Sequence, residues 1–332
     1  MIRAAIIGLG WWGKTIVDSV QGKSDQITFV AANTRTRAKA EDYCKEKKLD
    51  LRNDLDEILK DPKIDAIVYT TPHSQHEEHI KRAATAGKHV CVEKPFTLTV
   101  ASARSALDAV KKAGIVLGID YQRRFHPSIG EIRKRVQDGR VGKIGFGLAE
   151  STAPAGLFLP KESWRTNPDE TPVGAMTGIG VHLVDGFIDL IGEIDEVYCL
   201  NTRRAAPLVD DTTTVLLKHR NGATSTFVCS IASAPNYRVA VYGSGGLAET
   251  ERNLDAFRFV PAPDKPGQAP GAPEVIEHKG FNPVHASIEA FATAVNGKAP
   301  FPITPEQIIH GVAVFEAVVK SAKTGQPAKV AQ

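Results

Sequence analysis

Only four cysteines occur in 332 residues, at positions 44, 91, 199 and 229, and no two are spaced Cys-x-x-Cys. That excludes a disulfide framework and a zinc ribbon, and the apolar runs around three of them predict buried free thiols. No apolar run approaches the ~20 residues that span a bilayer, so no membrane association is expected. Met1-Ile2-Arg3 passes at once into an apolar stretch with a glycine turn behind it, a pattern unlike a signal peptide, so a cytoplasmic location is expected. A charge surplus is missing too: 41 basic against 38 acidic side chains leave +3, too little to point to nucleic acid. There is no internal repeat, no heptad run and no Gly-x-Ser-x-Gly nucleophile turn. Histidines 73, 76 and 79 crowd together with Glu77 and Glu78. However, His76-Glu77-Glu78-His79 places its histidines three apart where the zinc-protease helix needs four, so no metal is expected.

What is present is an ordinary globular composition, 42% apolar and 24% charged, in a chain long enough for two domains. Ile2–Ile7 reads as a short buried strand, followed directly by Gly8-Leu9-Gly10-Trp11-Trp12-Gly13 and a helical pattern. Gly-x-Gly-x-x-Gly carries little weight alone, but between a strand and a helix it reads as a dinucleotide fingerprint. Gly8 makes the tight turn, Gly10 lets the backbone approach a pyrophosphate, and Gly13 lets helix and strand pack closely. The free N–H groups of the helix start then face the phosphates. Two readings of Trp11 and Trp12 stay open: walls of a nicotinamide or substrate pocket, or packing against the second domain.

The next strand ends in Asn33-Thr34-Arg35-Thr36, where an NAD-binding protein usually places an acid for the ribose 2′-hydroxyl. Arg35 stands there between two hydroxyls instead. A guanidinium forks onto a phosphate that a carboxylate would repel, so NADP(H) is expected in preference to NAD(H), with NAD(H) a possible alternative. Apolar runs at 66–70, 89–92 and 115–119, separated by helical patterns, predict a doubly wound parallel sheet. The run His89-Val90-Cys91-Val92 leads straight into Glu93-Lys94-Pro95. Proline ends the strand and holds Lys94 extended. Ligands of parallel sheets bind just past such strand ends, so Lys94 is a candidate proton carrier, and a cis Lys94–Pro95 bond would suit a fixed lysine.

In the second half the segment 153–171 is irregular, and apolar residues recur at helical spacing from Val181 to Ile191, with His182 and Asp185 on another face. A lone helical histidine is often a satisfied structural group, and that alternative stands beside a catalytic one. Successive short strands, 196–201, 212–218, 223–230 and 238–243, with Asn221-Gly222 as a hairpin turn, indicate antiparallel pairing. The proline-rich stretch 261–273 reads as an exposed loop, and helices 284–295 and 305–323 close the chain.

These residues resemble the Gfo/Idh/MocA family. The resemblance is carried by Gly8-x-Gly10-x-x-Gly13, Thr71-Pro72-x-x-x-His76, Glu93-Lys94-Pro95, Tyr121-Gln122-Arg123-Arg124-Phe125 and Gly180-Val181-His182-Leu183-Val184-Asp185. It implies an NAD(P)-binding Rossmann domain (1–123), then an α/β domain (124–332) with a large open, mainly antiparallel sheet that packs against a partner subunit in a homodimer or homotetramer; a C-terminal helix packing back on the first domain is also expected. It implies cofactor contacts from the glycine loop, Trp11, Trp12, Thr34, Arg35, Thr71, Pro72, His76, Glu93, Lys94 and Gln122. Substrate contacts are implied from Tyr121, Arg123, Trp164, Arg165, Thr177 and His182, with Lys94 and His182 as catalytic groups. The implied reaction is hydride transfer to or from a hydroxyl carbon of a polyhydroxylated small molecule: a sugar, a cyclitol or a dihydrodiol. One position departs from the pattern. Many members carry Asp four residues before the histidine, and this chain has Gly178. That departure motivates two alternatives: a non-catalytic NADP-binding sensor or assembly module, or a redox-neutral enzyme that keeps its cofactor bound.

Overall fold

The computed structural model describes residues 1–332, and the chain divides into two compact units, 1–122 with 282–309, and 123–281 with 310–332. In the first unit β1 (Ile2–Ile7), β2 (Ile27–Asn33), β3 (Asp50–Leu51), β4 (Ala66–Tyr69), β5 (His89–Val92) and β6 (Leu117–Ile119) form a parallel sheet in the order β3-β2-β1-β4-β5-β6. This is the doubly wound dinucleotide-binding order, with its switch point between β1 and β4. Helices α1 (Trp11–Val20), α2 (Glu41–Lys47), α3 (Leu55–Lys60), α4 (His76–Thr85) and α5 (Val100–Ala113) connect the strands. Every residue of β4 is buried, as expected of a strand covered on both faces. Helix α5 starts where the Thr99 hydroxyl accepts from Ser102 N and stops at Gly114, whose φ of 66° is the left-handed cap that favours glycine.

The second unit contains α6 (Pro127–Gln137), α7 (Val181–Leu190) and a nine-stranded sheet. Its strands are β7 (Ile144–Thr152), β8 (Ile194–Thr202), β9 (Thr212–His219), β10 (Thr224–Ser230), β11 (Asn236–Gly243), β12 (Gly246–Glu251), β13 (Ala256–Pro261), β14 (Glu274–Glu277) and β15 (Ala328–Lys329). The order is β14-β13-β12-β11-β7-β10-β9-β8-β15, antiparallel throughout except for β7 beside β10. The expected hairpin joins β9 to β10 through Gly222 at φ 89°. Helix α7 lies close on β7 because Gly147 leaves room: a Cβ there would sit 2.7 Å from Ile191 Cδ1 and 2.8 Å from Phe187 Cε1. Phe146, Leu200, Leu216 and Val228 point from β7 to β10 onto one sheet face and are 41%, 55%, 53% and 39% exposed.

Helices α8 (Pro283–Val295) and α9 (Pro305–Thr324) close the chain. A single boundary near residue 123 places both in the second domain, with a C-terminal helix expected to pack back on the first; α8 belongs to the first unit, where Val284, Ile288, Phe291 and Ala292 join the core formed by Ile6, Ile16, Val17 and Phe29. All four cysteines are buried and free, as expected. No helix is long and apolar enough to cross a membrane.

Candidate active site

The glycine turn closes the C-terminal end of β1. Gly8 takes φ 98°, and a Cβ there would lie 2.8 Å from Thr70 O, while one on Gly13 would lie 2.2 Å from Gly8 O. The Thr70 hydroxyl donates to Gly8 O, fastening the turn to the end of β4. Gly10, by contrast, faces open space, with nothing within 4 Å of its ideal Cβ. It is the N-cap of α1 and offers no side-chain bond to the helix, whose first turn holds no acid. The first N–H groups of α1 therefore remain for an anion. These features fit a dinucleotide pyrophosphate. The two tryptophans divide: Trp11 is 77% exposed, whereas Trp12 packs on the core and its indole N–H donates to Glu93 Oε1. Past β2, Thr34 is half-buried and Arg35 exposed. The side chain of Asn33 instead donates to Arg52 O and Asn53 O, both at 3.2 Å.

The ends of β4, β5 and β6 bring the next group together. His76 is fully buried, with Nδ1 3.1 Å from Pro95 O and 3.0 Å from Phe96 O, and Nε2 3.1 Å from Thr71 O. One imidazole thus ties the Thr71-Pro72 loop to the loop after Lys94. The Lys94–Pro95 peptide is cis, as expected from the sequence. Glu93 is buried and accepts from Lys94 N at 3.2 Å. Burial and the neighbouring Asp120 push its carboxyl well above the usual carboxylate range, against the opposing pull of Lys94 and Trp12. Tyr121 and Gln122 are buried, and Gln122 Oε1 has no hydrogen bond. The nearby histidines do not converge as ligands: His79 Nδ1 lies 3.1 Å from Thr71 Oγ1, and its ring stacks on Tyr69 at 4.9 Å.

In the second unit His182 is buried in the first turn of α7, directly after a π-turn over Met176–Gly180. Its surroundings differ from the amphipathic expectation, because His182 and Asp185 are buried along with the apolar face. Thr177, expected to meet substrate, is fully buried with its hydroxyl donating to Pro172 O. Gly178 is open: the nearest atom to its ideal Cβ is Ile231 Cγ2 at 3.8 Å. Gly178→Asp is accordingly expected to fold with stability within about 1 kcal/mol of wild type, as surface-like substitutions do; thermal unfolding of the variant checks this. Half-buried Arg123 stacks over Tyr237, 5.0 Å from the ring centroid, and exposed Arg165 stacks over Trp164 at 4.2 Å.

Two features escape a reading of the sequence. The first is Asp120, which is 1% exposed. The second is the bidentate pair of Arg124 with Asp185, Nη2 to Oδ1 at 2.5 Å and Nε to Oδ2 at 3.0 Å, which holds the helix carrying His182. Asp189, one turn on, takes Arg133 Nη2 at 2.6 Å and lies 3.5 Å from Arg124 Nη1. The sequence signal for the pair is Asp185 three positions after His182, but nothing local names its partner.

Comparison with known proteins gives concordant matches. Residues 2–121 match the oxidoreductase-family model described as an NAD-binding Rossmann fold, GFO_IDH_MocA, and residues 129–249 match the GFO/IDH/MocA C-terminal domain. The scyllo-inositol 2-dehydrogenase (NAD(+)) of Bacillus subtilis (strain 168) is 30% identical over 215 residues, 59% of this chain and 62% of that protein. The chain thus aligns with less than two thirds of that relative's length. The trans-1,2-dihydrobenzene-1,2-diol dehydrogenase of Oryctolagus cuniculus is 26% identical over 271 residues, 81% of this chain and 79% of that protein. A crystal structure of aldose-aldose oxidoreductase from Caulobacter crescentus, complexed with glycerol, superposes with a TM-score of 0.85 at 26% identity, covering 99% of each chain.

Proposed function

The chain belongs to the Gfo/Idh/MocA oxidoreductase family, and on that premise we propose that it is an NAD(P)-dependent dehydrogenase of a polyhydroxylated small molecule: a sugar, a cyclitol or a dihydrodiol. The observation that carries this is the open glycine turn at the start of α1 together with Lys94 just past the end of β5 in the same unit. When bound, the nicotinamide supplies the hydride acceptor or donor. The chain's own residues do the rest. The α1 N-terminus and Gly10 take the pyrophosphate, Trp11 and Trp12 line its approach, and His76 holds Thr71, Pro72 and the Lys94 loop in register. Lys94 holds or takes the proton of the reacting hydroxyl at Nζ, and His182 is the catalytic group of the second unit. Tyr121, Gln122, Arg123, Trp164 and Arg165 orient cofactor or substrate, while Thr177 acts only through the backbone it ties down. An absorbance change at 340 nm with a panel of such polyols tests the assignment; inactivity across the panel with both cofactors would refute it.

Cofactor choice falls to Arg35. It is exposed, and the residues that end β2, Asn33-Thr34, bring no carboxylate of their own to repel a 2′-phosphate. NADP(H) is therefore the preferred cofactor. Arg35→Ala is expected to lower kcat/KM for NADP(H) about 10- to 100-fold, the worth of one charge-assisted contact, and to leave NAD(H) kinetics within about twofold. Equal losses for both cofactors would count against it. The protein works in the cytoplasm as a homodimer or homotetramer joined through the exposed apolar face of Phe146, Leu200, Leu216 and Val228, a patch of the kind that marks interaction surfaces. Light scattering on the purified protein checks the assembly.

A further inference from the structure

Strand register brings two acids together behind Lys94. β5 and β6 run parallel with Val92 beside Ile119, and Asp120 N donates to Val92 O at 2.9 Å. The residues that follow, Glu93 and Asp120, therefore stand side by side just past the strand ends, with backbones separated by about the 4.8 Å strand spacing. Both are at least nine-tenths buried, at 9% and 1% exposure. Glu93 has its bonds: Trp12 from α1 donates to one oxygen and Lys94 N to the other. Asp120 meets no donor in good hydrogen-bonding geometry; both its carboxyl oxygens are buried, and its polar neighbours are Glu93, Ser287 of α8 and Trp12 of α1. The titratable groups facing the pair are Lys94, whose ammonium favours ionisation of both acids, and the Cys91 thiol, which burial and the two acids push up. The contacts from α1 and α8, Trp12 and Ser287, carry no charge.

Two adjacent carboxylates cannot both stay ionised in a dry site, and an ionised Asp120 beside an ionised Glu93 would be a poorly satisfied buried charge. Two neutral acids, in turn, would forgo the attraction to Lys94. We propose that Glu93 and Asp120 share one proton and, with a single negative charge between them, form the counter-charge that keeps Lys94 protonated, making Asp120 a positioning residue for the lysine. Its use in catalysis rests on the reading of Lys94 given above.

The test needs neither cofactor nor substrate. Lysines are reductively methylated with 13C, the Lys94 resonance is assigned by its absence in Lys94→Arg, and its titration is followed by NMR. Asp120→Asn and Glu93→Gln are each expected to leave the midpoint within about 0.5 pH unit, because the remaining carboxyl ionises and keeps the one negative charge. The double variant is expected to lower the midpoint by about 1–3 units, the usual effect of losing an adjacent opposite charge. Additive drops in the two single variants would mean both acids are ionised, and an unmoved double variant would mean no counter-charge; either result overturns the proposal. If the double variant does not fold, 13C-labelled carboxyls in the wild-type protein decide it. One proton should persist on the pair above the ordinary carboxylate range, and ionisation of both acids within that range would overturn the proposal. Expected titrations in a protein without dehydrogenase activity would sink the proposed function and leave the pair standing; an active dehydrogenase without them would sink the pair alone.

Discussion

Lys94→Ala is expected to lower kcat about 10²- to 10⁴-fold, the range that removal of a positioned proton carrier usually costs, while the cofactor Kd stays within about threefold. The expectation rests on where the contacts lie. The glycine turn is fastened by Thr70, and the α1 N-terminus has its own open approach at Gly10. Neither depends on the Lys94 side chain. The loop that carries Lys94 is held by His76, which bonds the carbonyls of Pro95 and Phe96 and makes no use of the lysine amine. Truncation at Cβ therefore removes a proton carrier and leaves the Thr70 and His76 fastenings in place. Stopped-flow turnover alongside fluorescence titration of NADPH separates the two effects. A variant that turns over like wild type would end the catalytic assignment, and one that loses cofactor binding in step with kcat would show Lys94 to be a cofactor ligand alone.

The first half of the fold is legible in the sequence because parallel strands buried on both faces read as continuous apolar runs, and glycine punctuates them. The spacing of Gly8, Gly10 and Gly13 between a strand and a helix implies a role for each, and the open space at Gly10 agrees with the one it implies there. The strands β12 and β13 are not legible in the same way. Between them Arg252, Asn253 and Leu254 turn at φ 51°, 57° and 79° with no glycine or proline to announce it. Glu249, buried on β12, is paired by Arg238 and Arg258 from the neighbouring strands, so its strand looks solvated in one dimension. The return of a C-terminal helix to the first unit is implied by the family resemblance alone, because an amphipathic pattern says that a face is buried, never against what. Asp120 is hidden, since an acid at the end of a short strand looks like any loop carboxylate until the neighbouring strand places Glu93 beside it.

Arg124→Ala should cost about 3–5 kcal/mol at pH 8, as removal of one partner from a buried ion pair does. Arg124 and Asp185 side chains are 4% and 6% exposed, and the guanidinium satisfies both carboxyl oxygens. Burial raises the Asp185 carboxyl to about 6, with Arg124 supplying the largest opposing pull. A raised carboxyl means that the folded state holds its proton to higher pH than the unfolded state. The group's contribution to stability is thus greatest below about pH 4 and falls as pH rises through 6. Without Arg124 the proton is held higher still, so the deficit of the variant should grow from pH 5 to pH 8 and shrink again when Asp185→Asn is added, which removes the stranded charge. Urea unfolding of both variants across that range measures it. A deficit independent of pH, or one that the second substitution leaves untouched, would show that Arg124 supports α7 through packing of its stem and not through its charge.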